Sequence, residues 1–115
     1  VRVVFHPAAD AEFIEALSYY TSIEHSLGER YYSEMERLIT EIQSHPKTFR
    51  QFDPPARRHF SSWFPYGIIY MEQSDRLWIV AVMHMKRAPG YWKGRVINEK
   101  SSSQSPDHFP MTFTS

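Results

Sequence analysis

Residues Leu77 to Met83 read LWIVAVM, and no other stretch restricts the fold of this chain so tightly. On a two-residue repeat, Leu77, Ile79, Ala81 and Met83 fall on one side of a strand and Trp78, Val80 and Val82 on the other. Both sets are apolar, so the segment, which continues to Met85, reads as a central strand covered at least in part on both faces. Two further strand candidates precede it closely, RRHFSSW (Arg57–Trp63) and GIIYMEQ (Gly67–Gln73), joined through FPYG and SDR. Linkers this short permit antiparallel hairpins only, because a parallel crossover needs about a dozen residues.

The N-terminal half supplies what packs on that sheet. VRVVF has the β-branched content of a short strand. In the next segment Pro7 suits a first helical turn, Asp10 and Glu12 lie near the positive end of the helix dipole, and Ala9, Phe13, Leu17 and Tyr20 form an apolar stripe. Gly28 reads as the stop of this helix. A second helix is expected from about Glu29 to Ser44, with Tyr31, Met35, Leu38 and Ile42 on its stripe and Glu34, Glu36, Arg37 and Glu41 off it; His45-Pro46 ends it. The order β-α-α-β-β-β defines an α+β domain: a mostly antiparallel sheet with a helical hairpin packed on one face. The other face is left for something else, such as a partner chain.

A chain of 115 residues with 42% hydrophobic and 16% aromatic content suits one domain with a sizeable core. That domain is expected over residues 1–97. Residues 98–115, Ser/Pro-rich and without period, read as a flexible C-terminal tail. Cysteine is absent, and no stretch reads as a signal peptide or is long enough to span a bilayer, so a soluble, cytoplasmic protein is expected. The zero net charge hides an asymmetry: Val1–Ser44 carries three Lys/Arg against eight Asp/Glu, whereas His45–Lys100 carries ten against four. A polyanion would be drawn to the second part alone.

Chemistry-bearing residues concentrate there. Alternation sends Arg57, His59 and Ser61 one way and Arg58, Phe60 and Ser62 the other, and puts His84 and Lys86 on the face of Trp78 and Val82. His84 has three readings: a hydrogen-bonded structural group, a proton-transfer or substrate-contacting group, or a metal ligand. The third is disfavoured, because no second ligand lies at suitable spacing on the same element, and no cofactor is expected. HMKRAPGYWKGR (His84–Arg95) gathers Lys86, Arg87, Lys93 and Arg95 around Tyr91 and Trp92. Arginine offers a planar fork for phosphate, and neighbouring aromatics can stack unpaired bases, although Tyr91 and Trp92 equally suit the edge of a core.

The element order, the segment FPYGIIY (Phe64–Tyr70) and the ending VAVMHMKRAPGYWKGR (Val80–Arg95) together resemble the RelE/ParE family of small toxins from bacterial type II toxin–antitoxin systems. The resemblance implies a growth inhibitor that a cognate antitoxin neutralises by draping across it. It implies one of two activities: ribosome-dependent mRNA endonuclease without a metal, or ParE-like inhibition of DNA gyrase without catalysis. In an endonuclease, His84 and His59 would exchange protons, Arg58 or Arg57 with Arg87 would hold the phosphate, and Tyr91 would stack or position a base. Arg57, Lys86, Trp92, Lys93 and Arg95 would contribute to RNA binding. Against this chemistry, the strand GIIYMEQ carries no cation, unlike the middle strands of RelE-type nucleases.

Overall fold

In a computed structural model that describes residues 2–97, the chain forms β1 (Arg2–Phe5), α1 (Pro7–Ile23), α2 (His25–Ser44), β2 (Arg57–Phe60), β3 (Tyr66–Glu72), β4 (Arg76–His84) and a short α3 (Lys93–Ile97). The expected tail, residues 98–115, lies outside the described residues. The strand order is β1-β4-β3-β2, with β2–β3 and β3–β4 antiparallel and β1 parallel to β4. The α+β architecture and the helical hairpin on one face are as the sequence indicates. α3 is an addition, and β2 stops three residues earlier than expected, at Phe60.

The hairpin packs as its stripes require. Ala9 and Phe13 of α1 and Tyr31, Met35, Leu38 and Ile42 of α2 bury against Phe5, Ile68, Tyr70, Leu77, Ile79 and Val82 of the sheet. Proline at the start of α1 is accompanied by a cap, since His6 Nδ1 accepts the Ala8 N–H at 3.0 Å. Gly28 does not end α1. The break falls at Glu24, in extended conformation, and Gly28 lies inside α2, where a Cβ would overlap the Thr21 side chain. Glycine here allows a close approach of the two helices.

The second face is covered by chain that has little regular structure. Val4, Ile69, Trp78, Val80, Ala81 and Met83 lie beneath Ala56 and Trp92, with Phe52, Tyr91 and Val96 packed around them. Trp78 therefore sits in a closed layer, 1% exposed, as the doubly apolar strand demands.

One irregularity changes which way the functional residues point. Ile69 pairs with Ala81 but Tyr70 pairs with Ile79, so Val80 is an extra residue in β4, a β-bulge. Val80 and Ala81 both contribute to the second layer, and the alternation after them is inverted: Val82 joins the helix-side core and Met83 the other. His84 consequently faces the helix side with its cross-strand partner Tyr66, and not the face of Trp78 as strict alternation predicts.

Candidate functional site

Cross-strand partners point the same way, so register assigns a face to each basic residue of β2. Arg57 and His59 pair with Tyr70 and Ile68, which belong to the helix-side core; Arg58 pairs with Ile69, which belongs to the second layer. On the helix side, His59 Nε2 meets Glu41 Oε1 at 2.7 Å and its ring stacks on Phe49 at 3.8 Å. Arg57 Nη1 donates to Phe49 O at 2.8 Å. Ser61 Oγ donates to Glu34 Oε2 at 2.5 Å, and Arg37 donates to both Glu34 oxygens and to Glu41. The hydrogen bond from Arg37 holds the Glu34 carboxyl below the ordinary carboxylate range, and that from His59 does the same for Glu41. Glu34 and Glu41 escaped the sequence reading because helical charges normally face water, whereas here they meet Ser61 and His59 across the helix–sheet interface.

On the opposite face Arg58 lies over the rings of Phe52 and Phe60, 5.0 Å and 5.6 Å from their centroids. These residues line a groove of about 540 Å³ with Phe49, Arg50, His59, Met83, Met85 and Pro89. No carboxylate is among these residues, and aromatic and thioether side chains form most of the walls beside the two arginines.

Beyond β4 the chain folds back. Arg87 N–H donates to His84 O at 3.0 Å, closing a turn, and His84 Nδ1 accepts the Lys86 N–H at 3.0 Å while its ring meets Tyr66 edge-on at 4.9 Å. Trp92 is 2% exposed and donates from Nε1 to Pro89 O at 2.8 Å, which makes it a core-edge residue. Lys93 pairs with Asp53 at 3.2 Å. Lys86 and Arg87 are exposed.

Tyr91 and Arg95 converge on a residue of α1 that the sequence reading assigned only to the helix dipole. The Glu12 carboxylate accepts from Tyr91 Oη at 2.7 Å, from Arg95 Nη1 at 2.9 Å and from Arg95 Nη2 at 2.8 Å. Burial drives the Tyr91 phenol far above its usual pKa, helped by the bond to Glu12. Burial also opposes the Arg95 charge, but the hydrogen bonds and attraction of Glu12 outweigh it and its pKa rises.

Measured against the expected pocket, the structure joins Arg87 to Tyr91, with the guanidinium 3.9 Å above the ring, and separates the rest. His59 and His84 share a face but lie on β2 and β4 with β3 between them, two rows apart along the strands. Strand spacing and rise put them about 12 Å apart. Arg58 is on the other face. Among the described residues no group of three or more His, Asp or Glu side chains could hold a metal ion, and no helix is long and apolar enough to cross a membrane.

Comparison with known proteins agrees with this fold. Among solved structures, a chain of "Chromosomal ParDE TA system from P. aeruginosa" superposes with a TM-score of 0.54 over 73% of this chain and 95% of that one, at 9% identity. No curated protein matches the sequence. A family model described as "ParE toxin of type II toxin-antitoxin system, parDE" matches residues 3–89, which take in α1, α2 and the four strands but for Arg2. The chain belongs to this family of ParE toxins, the toxin components of type II toxin–antitoxin systems, whose partner is a cognate antitoxin.

Proposed function

We propose that this toxin acts in the cytoplasm by binding DNA gyrase, and that it does not cleave RNA. The observation that carries this reading is the dispersal of the proton-transfer candidates. Cleavage through a ribose 2′-hydroxyl needs an acceptor at that oxygen, a donor at the leaving oxygen and a cation at the phosphate, all within hydrogen-bond reach of one phosphodiester. His59 and His84 are about 12 Å apart by strand geometry, His59 is engaged by Glu41, and Arg58 leaves β2 on the opposite face, meeting His59 only at the edge groove that both line. A target held by binding needs only a continuous surface, and Arg87, Lys86 and the groove beside Arg58 and Met85 provide cations and apolar area.

RNA cleavage remains the second reading, favoured by one feature. The groove lined by Arg50, Arg58, Phe52 and Phe60 has the cation-and-ring composition that holds unpaired nucleotides. The test adds purified protein to a gyrase supercoiling reaction and, separately, to a translation mixture whose mRNA is mapped by primer extension. Loss of supercoiling with intact mRNA is the expected result. Ribosome-dependent mRNA cleavage with unimpaired gyrase would overturn it. Arg87→Ala is expected to abolish inhibition without loss of fold, since the side chain is exposed.

A further inference from the structure

The Glu12 carboxylate of α1 ties the segment after β4 to the helical hairpin. β1 ends at Phe5, opposite Ile79, whereas β4 continues to His84. After His6 N–H donates to Ile79 O at 2.9 Å, no strand continues along that edge, and side chains take over. Arg95 Nη1 donates to Val80 O at 3.0 Å, and the Val82 N–H donates to Glu12 Oε1 at 3.0 Å. Glu12 thus accepts from Val82, Tyr91 and both Arg95 nitrogens, which fills the capacity of an ionised carboxylate.

The consequence reaches Arg87. The Tyr91 ring has the Arg87 guanidinium 3.9 Å from its centroid and the Arg95 guanidinium 5.0 Å from it. Glu12 neutralises Arg95, while Arg87 has no carboxylate partner among the described residues. A phenol that donates to a carboxylate is polarised toward a more electron-rich ring, which strengthens its attraction for a cation. The hydroxyl bond also fixes the ring in place, so a long and otherwise mobile arginine is held in one orientation before it meets a partner.

We infer that Glu12 is a positioning residue for Arg87, acting through Tyr91: a carboxylate on the first helix sets the orientation of the exposed cation that the toxin presents to anionic groups on its target. The consequence for toxicity rests on the proposed function, but the orientation of Arg87 can be read without any target.

The test is NMR of ¹⁵N-labelled protein, following the Arg87 Nε–Hε resonance, which Arg87→Ala identifies and which the Tyr91 ring current displaces. Tyr91→Leu should return it to the position of a free arginine, and Glu12→Gln should move it partway. Tyr91→Phe keeps the ring and loses the hydroxyl, so it carries the same test should Glu12→Gln fail to fold. In gyrase inhibition, Tyr91→Phe and Glu12→Gln should each weaken the protein about tenfold, the effect of one hydrogen bond to a charged group. Combining Glu12→Gln with Arg87→Ala should be no worse than Arg87→Ala alone. An Arg87 resonance unmoved in both Glu12→Gln and Tyr91→Phe would overturn the inference. A resonance that moves while gyrase inhibition stays unchanged would uphold the positioning and remove Arg87 from the target surface.

Discussion

Glu34 is a carboxylate only 7% exposed on a helix whose other glutamates face water or its rim. Its burial is tolerated because Arg37 approaches both oxygens at 2.9 Å and Ser61 donates a third bond from the β2–β3 connection. Ser61 in turn accepts the N–H groups of Trp63 and Phe64, so this one carboxylate fixes the hairpin turn against α2. The folded-state pKa of Glu34 lies below its ordinary value of 4.5, chiefly through Arg37, and that of Glu41 is lowered chiefly through His59. A depressed carboxyl contributes stability that is complete above the unfolded value and is lost as the pH falls through the folded one. Urea midpoints are therefore expected to drop below about pH 4.5, and Glu34→Gln should flatten that drop. At neutral pH the same variant should cost about 1–2 kcal/mol, the lower part of the range for a charged hydrogen bond, since Arg37 is half exposed. Equal acid sensitivity in wild type and variant would contradict this assignment.

At the scale of elements, α1 begins on a histidine cap, and this gives the helix a pH dependence of the same sign from a different cause. His6 Nδ1 must keep its lone pair to accept the Ala8 N–H, and its pKa is lowered from 6.5, first by burial, then by Arg95, with Glu12 acting in the opposite sense. The folded state disfavours the proton, so the contribution is full above about pH 6.5 and declines as the pH falls toward the lowered value. His6→Asn, which retains a capping oxygen, should remove the dependence between pH 7 and 5, while His6→Ala should cost about 1 kcal/mol above about pH 6.5 and progressively less as the pH falls, since the wild type loses the same cap; thermal melts across that range decide it. Elements of this size were legible where a period survived for several residues, as in the stripes of both helices and the doubly apolar β4. The bulge at Val80 was not, because neighbouring apolar residues on both faces look alike whether or not the phase slips. Nor was the Tyr91–Arg95–Glu12 cluster, which depends on where β1 stops relative to β4. His84 was thus assigned to the wrong face, and Glu12 was overlooked, for one physical reason: side-chain direction after an irregularity is set by tertiary pairing.

Across the whole molecule, the sheet separates two layers with different means of support. The helix-side layer is formed by regular elements with many local contacts. The second layer depends on residues 49–56 and 88–97, which hold each other through the Phe52–Trp92 contact, with centroids 6.3 Å apart, and the Lys93–Asp53 pair. The same two segments carry Arg50, Pro89 and Tyr91, and Arg87 lies just before the second of them, so the surface proposed to meet the target has the stability of the weaker layer. Charge follows this division in part: the acidic N-terminal part forms the hairpin, and Arg50 and Arg58 line the groove of the second layer. Trp92 is the anchor, buried beside Trp78, and its removal separates the two layers experimentally. Trp92→Ala should cost about 3–5 kcal/mol, as for truncation of a buried aromatic. In hydrogen exchange, amides of residues 88–96 and 50–56 should lose protection first, while α1, α2 and the β3–β4 ladder keep theirs. Growth inhibition should be lost in this variant even under conditions where circular dichroism shows the helices intact, because Arg87 would no longer be held. Simultaneous loss of protection in both layers would instead mean that the sheet and its two coverings unfold as one unit.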